Sequence, residues 1–154
     1  MIPPRAMNSI FERLVEIELT IGELYGRYAA RFPATAEVWE GLQHDERRHA
    51  DWLRSLQLQI QEKDANIGFD ADRFSPTVLD AYLSIVRAAL TESDGDTEAQ
   101  AFHRAVAIEQ SFVETRFYDV ATGTHPTIAR VFKALAEETK HHRARLAELA
   151  AGMG

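Results

Sequence analysis

Apolar residues recur at helical spacing along most of the chain, and proline and glycine interrupt that pattern at only a few points. Five segments are therefore predicted to be helices, at about residues 9–31, 34–63, 76–92, 97–121 and 126–150. Short connections after the first and fourth helices predict two antiparallel hairpins, whereas residues 61–96 are long enough to cross the bundle. The predicted fold is all-α, an antiparallel bundle of four long helices with a short extra helix in the crossover between helices two and four.

Local signals mark where several of these helices start and stop. Ser9 followed by Glu12 is typical of a capping box at the first helix, and Pro33 closes that segment. Ser75 is expected to cap the short third helix, with Pro76 at its first position, because proline lacks the N–H that would remain unpaired there.

The two hairpins resemble each other in sequence at a constant offset of 93 residues. Two similar hairpins in one bundle are related by an approximate twofold axis, so side chains at equivalent heights converge on a central point. That geometry suits a site for two metal ions. The matching pairs are Tyr25 and Tyr118, Pro33 and Pro126, Ala36 and Ala129, Val38 and Val131, Trp39 and Phe132, Leu42 and Leu135, His49 and His142, and Leu53 and Leu146.

Length and composition narrow the classes of protein to consider. The 154 residues are the length of one ordinary domain, so residues 1–154 are expected to form a single domain. The chain has no cysteine, which excludes disulfides, thiolate metal sites and a cysteine nucleophile. The net charge of −7 argues against nucleic acid and anionic membranes as partners. No apolar run reaches the roughly 18 residues of a membrane span, and residues 1–9 lack a signal-peptide core, so we expect a cytoplasmic protein.

Three of the predicted helices place a carboxylate within an apolar stripe. Glu18, Glu46 and Glu109 each share a helical face with large apolar residues, and His49 follows Glu46 on the same face. The three stripes are Leu14, Glu18, Ile21 and Tyr25; Leu42, Glu46, His49 and Leu53; and Phe102, Val106, Glu109 and Val113.

Inward carboxylates need an explanation, because burying one costs several kcal/mol against a domain stability of about 5 to 15 kcal/mol. One interpretation is that they are rim residues paired with Arg27, Arg48 or Arg104. The other is a metal site, in which carboxylate and imidazole ligands replace water around the ion. The Glu-x-x-His spacing is weak on its own. Its combination with carboxylates on three helices favours metal.

Residues 16–25 and 38–49 resemble the first hairpin of rubrerythrin-like di-iron proteins, within the ferritin-like superfamily. The resemblance implies a ferritin-like bundle with Glu on the first and third bundle helices and Glu-x-x-His on the second and fourth. Glu18, Glu46, His49 and Glu109 fit that set, which implies two iron ions, with manganese or zinc as alternatives. The rubredoxin module of true rubrerythrins is missing, so electrons are expected from an external donor protein.

The fifth helix departs from the family pattern. Glu138 and His141 have the spacing of the Glu-x-x-His motif. An α-helix turns by about 100° per residue, however, so both residues lie off the apolar stripe, which passes through Thr139 and His142. Three interpretations are open: a distorted turn brings Glu138 and His141 inward, Glu138 and His142 bind as a pair, or the site holds one metal ion or none. We favour the pair. The remaining histidines are expected on the surface, namely His44, His103 and His125.

The sequence thus predicts a metal-binding ferritin-like protein, with oxidase or peroxidase activity on hydrogen peroxide or dioxygen. The alternative is a non-catalytic bundle with a degenerate metal site and a structural or interaction role. A homodimer is expected in either case.

Overall fold

The computed structural model of the chain describes residues 4–63, 75–111 and 126–153. Within these ranges all regular structure is helical and no strand is present, which confirms the all-α ferritin-like bundle. Part of the predicted fourth helix and of the crossover lies outside the described residues. The helices are α1 Pro4–Arg31, α2 Ala36–Lys63, α3 Pro76–Glu92, α4 Glu98–Ser111 and α5 Pro126–Gly152, with 3₁₀ turns at Pro33–Thr35 and Ser93–Gly95.

The helices pack as two hairpins around a common core. α1 lies along α2, α4 lies along α5, and α3 packs against α1. The seam between α2 and α5 is less closely packed. The apolar stripes of the helices together form one cluster of buried side chains, which is the core that the sequence pattern predicts.

α1 begins earlier than the capping signal predicts, at Pro4 instead of near Ser9. Proline is favoured in the first turn of a helix because its missing N–H needs no partner there. The Ser9 side chain accepts a hydrogen bond from the Arg13 guanidinium and does not cap the helix. At the preceding position, Asn8 Oδ1 accepts a hydrogen bond of 2.6 Å from Gln61 Nε2, which holds this end of α1 against α2.

The starts of α3 and α4 follow ordinary capping chemistry. Ser75 Oγ accepts a hydrogen bond of 3.2 Å from Val78 N, which confirms the predicted cap of α3. At α4, Thr97 Oγ1 accepts from Gln100 N at 3.2 Å, while Gln100 Oε1 accepts from Thr97 N at 2.8 Å. This reciprocal pair is a capping box, so the first turn of α4 is fixed by its own side chains.

Asp96, immediately before α4, ties the α3–α4 turn to α1. Its buried carboxylate accepts from Tyr28 Oη at 2.5 Å and from Arg104 Nε and Nη2 at 2.7 and 2.9 Å. Arg31 Nη2 donates to the backbone oxygen of Asp96 at 2.7 Å. The bidentate bond from Arg104 lowers the pKa of Asp96, so the carboxylate stays ionised.

An aromatic layer joins the two hairpins beside this cluster. The Trp39 ring stacks on Phe102 with centroids 4.5 Å apart and also contacts the rings of Tyr28 and Tyr25 at 4.8 and 5.6 Å. Trp39 Nε1 donates to Thr35 Oγ1 at 3.1 Å, so its polar atom has a partner. The layer fixes the relative rotation of α1, α2 and α4.

No helix among the described residues has a stretch long and apolar enough to cross a membrane.

Replacing Asp96 by alanine should lower the free energy of unfolding by about 2 to 4 kcal/mol, because it leaves the buried hydroxyl of Tyr28 without its acceptor and removes the bidentate partner of Arg104. Urea denaturation of the metal-free protein measures the change. Asp94→Ala is the matched control, since that carboxylate is exposed in the same turn. Equal losses in the two variants would contradict the role assigned to Asp96.

Candidate metal centre

Two groups of three buried side chains meet between the hairpins, each with ligand atoms within 4.8 Å of one another. One group contains Glu18, Glu46 and His49, and the other contains Glu46, Glu109 and His142. Glu46 belongs to both groups. Carboxylate and imidazole groups gathered from facing helices are the means by which helical bundles bind metal ions.

Each histidine points its Nδ1 atom into the cluster. His49 Nδ1 lies 3.7 Å from Glu18 Oε2 and 3.5 Å from Glu46 Oε2. His142 Nδ1 lies 3.6 Å from Glu46 Oε1 and 3.8 Å from Glu109 Oε1. The two oxygens of Glu46 therefore face different histidines, one from each hairpin, so this carboxylate lies between the two groups.

The outer nitrogens of both histidines contact carboxylates from the opposite hairpin. His49 Nε2 lies 3.0 Å from Glu138 Oε2 on α5, and His142 Nε2 lies 3.0 Å from Asp45 Oδ2 on α2. Asp45 and Glu138 are 93 residues apart, so they occupy equivalent positions in the two hairpins. The two contacts between a carboxylate and a histidine are therefore related by the approximate twofold axis. A carboxylate on the outer nitrogen fixes the ring orientation and raises the basicity of the inner nitrogen.

α5 is regular from Pro126 to Gly152, so no distorted turn rotates part of it inward. Thr139 and His142 are buried, whereas His141 is exposed and the Glu138 side chain is 27% exposed. Glu138 and His141 therefore do not turn into the core together, because an uninterrupted helix keeps the phase of its apolar stripe. Glu138 contacts the outer side of His49, and neither Glu138 nor His141 belongs to the two groups.

Thr139 occupies the position that the repeat makes equivalent to Glu46. It is fully buried, and its Oγ1 donates a hydrogen bond of 2.9 Å to the backbone oxygen of Leu135. A hydroxyl in this position supplies no charge to the centre. The cluster consequently has three carboxylates and two imidazoles, and its two halves are not equivalent.

Two features set Glu109 and Glu18 apart. Glu109 Oε1 accepts a hydrogen bond of 2.7 Å from the buried hydroxyl of Tyr25, a contact that the sequence analysis missed because it assigned Tyr25 to the apolar stripe. Both oxygens of Glu18, and Nδ1 of His142, are buried without a hydrogen-bond partner among the described residues. Buried polar atoms are rarely unpaired, so a cation that binds them fits this chemistry.

The charges of the cluster shift several pKa values in the metal-free protein. Burial alone would raise the pKa of Glu46, but the facing rings of His142 and His49 outweigh it and lower the pKa to about 2. Burial and the Glu46 charge raise the pKa of Glu109 to about 7. Burial opposes the charged form of His142, yet Glu109 and Glu46 raise its pKa to about 11, and that of His49 also rises. The imidazolium rings thus balance part of the buried negative charge.

A cavity of about 400 Å³ opens to solvent on the outer side of the cluster. Asp45, Glu138, His141 and His142 are among the residues that line it. The outer carboxylates therefore lie between solvent and the buried histidines.

A helical bundle in which carboxylates and histidines form two groups around a shared glutamate has the architecture of the dinuclear carboxylate proteins. A sequence model of the rubrerythrin family matches residues 17–150, and the chain belongs to that family. This result confirms the resemblance noted in the sequence. Comparisons with curated proteins and with solved structures gave no match.

The free energy of unfolding of the metal-free protein should fall as the pH rises from about 6.5 to about 11. In this range a histidine in the unfolded chain has lost its proton, whereas His142 in the folded chain still holds one, because its pKa is raised to about 11. The loss is at most about 1.4 kcal/mol per pH unit for one proton. Urea denaturation with a chelator at pH 6.5 and pH 9 measures it. His142→Asn should flatten the dependence, and His103→Asn, an exposed control, should not. Equal slopes in wild type and His142→Asn would refute the assignment.

Proposed function

We propose that this chain binds two iron ions and acts as a peroxidase that reduces hydrogen peroxide. The ligands in this proposal are Glu18, Glu46, His49, Glu109 and His142. The observation that carries it is the pair of buried groups sharing Glu46, together with the oxygens of Glu18, which have no hydrogen-bond partner in the part of the chain that the structure describes. Oxygen and imidazole donors also suit manganese and zinc, which remain the alternative metals.

Each ligand has a distinct task in this proposal. Glu46 would link the two metal positions, since its two oxygens face different groups. Glu18 and Glu109 would each serve one position. Tyr25 holds one oxygen of Glu109 by its hydrogen bond and so limits the orientations open to that carboxylate. Metal binding requires the inner nitrogens of both histidines to lose their protons.

When bound, a pair of iron ions supplies electrons and open coordination positions for the oxidant. Reduction of hydrogen peroxide then consumes two electrons and two protons and releases two water molecules. The chain has no cysteine for an iron–sulfur centre, so its electrons would come from an external donor protein. Dioxygen is the alternative oxidant.

A second candidate is a non-catalytic bundle that has kept the fold. Thr139 favours it, because a hydroxyl stands where the symmetry of the hairpins would place a fourth carboxylate. Fewer charged ligands weaken at least one metal position. This candidate predicts that the protein binds metal incompletely or binds it without consuming peroxide.

Anaerobic titration with iron(II) should load two ions per chain, one for each group. Loaded protein should then consume about one molecule of hydrogen peroxide per chain, since each takes up two electrons. Elemental analysis and a peroxide assay measure both quantities. Glu46→Ala should lower the iron content, while Glu40→Ala, exposed on the same helix, should not.

Less than about a tenth of an ion per chain after reconstitution would rule out the metal-binding proposal. Full loading with no peroxide consumed would favour the non-catalytic bundle.

His142→Ala should weaken iron(II) binding at least about tenfold, because it removes the imidazole that faces Glu46 and Glu109. His141→Ala should change it little, since that ring is exposed. Competition with a coloured chelator gives both affinities. If His141→Ala is the more damaging variant, the ligand set proposed for α5 is wrong.

A further inference from the structure

Arg48, on α2, contacts both of the carboxylates that hold the outer nitrogens of the histidines. Its Nη2 atom lies 3.4 Å from Asp45 Oδ1 and donates a hydrogen bond to Glu138 Oε1. Each carboxylate uses its other oxygen for a histidine, at 3.0 Å in both cases. The guanidinium therefore connects two carboxylate–histidine pairs that come from different helices.

The two carboxylates need such a cation to be held together. Asp45 and Glu138 carry the same charge, and their side chains are 28% and 27% exposed, so water competes for their oxygens. The guanidinium is planar and always charged, with several donors in a fixed arrangement, so one group can hold two acceptors at once. It also restrains the carboxylates in the orientations that the histidines require.

The Arg48 side chain is itself held in place on the surface of α2. Its guanidinium lies over the Trp52 ring, 5.2 Å from the centroid, and the same ring lies 5.7 Å from the ring of His49. Such cation–π contact fixes the position of the charge. Arg48 thus bridges the less closely packed seam between α2 and α5, beside the centre.

We propose that Arg48 is a positioning residue of the metal centre, acting through Asp45 and Glu138 on both histidines. This inference rests on the proposed metal-binding function. By fixing the two carboxylates, Arg48 holds each ring with its outer nitrogen as a hydrogen-bond donor and its inner nitrogen facing the centre, where a metal ion would replace the inner proton. Loss of the guanidinium weakens both metal positions although neither loses a ligand.

The test uses zinc(II) as a diamagnetic probe of the full chain. Arg48→Met should lower zinc affinity about 10- to 100-fold, the range seen when outer partners of metal ligands are removed. In the zinc-loaded protein, the outer-nitrogen protons of His49 and His142 should exchange faster with solvent by proton–nitrogen NMR. A residue that only stabilises the surface would not change those protons.

Arg54→Met is the matched control, because Arg54 forms an exposed pair with Asp51 at the same spacing on the same helix, at 3.6 Å. It should leave zinc affinity and proton exchange unchanged. Arg48→Lys keeps one charge but loses the planar group, so an intermediate affinity is expected. That variant also provides the comparison if Arg48→Met does not fold, as judged by circular dichroism.

Wild-type affinity and unchanged proton exchange in both Arg48 variants would overturn the inference while leaving the metal-binding proposal intact. A wild-type chain that binds neither zinc nor iron would overturn both.

Discussion

The whole structure depends on the burial of three carboxylates, Glu18, Glu46 and Glu109, within a largely apolar helical core. Each of them costs several kcal/mol unless a positive charge lies close by. In the metal-free chain, His142 and His49 supply part of that charge, which is why both imidazoles hold their protons more tightly than usual. A bound cation would take over the same task. The site is therefore a constraint on folding as well as a place for chemistry, and its protonation, metal content and stability are linked.

The second organising feature is the exchange of carboxylates between the hairpins. Asp45 on α2 holds His142 on α5, and Glu138 on α5 holds His49 on α2. This arrangement explains why Glu138 occurs beside the apolar stripe and not within it. The Glu-x-x-His spacing of Glu138 and His141 in α5 does not correspond to a pair of inward side chains, because Glu138 contacts the outer nitrogen of His49 and His141 is exposed.

Membership of the rubrerythrin family accounts for the fold and for the kind of site, but activity depends on particular residues. Two of them make the halves of the centre unequal. Thr139 supplies no charge where the repeat would allow a second shared carboxylate, and Tyr25 donates its hydroxyl to Glu109. The two groups of candidate ligands therefore have different surroundings.

The sequence by itself determined the helical fold and the face on which each candidate ligand lies. The helical period fixes which side chains share a face, so residues such as Glu46 and His142 were predicted to point inward without any knowledge of packing. Only the tertiary structure decided that Glu138 contacts His49, that Asp45 contacts His142, and that Arg48 joins the two carboxylates. Those contacts depend on the relative height and rotation of α2 and α5. The packing of the whole core determines both, and the helical period of a single segment contains no information about them.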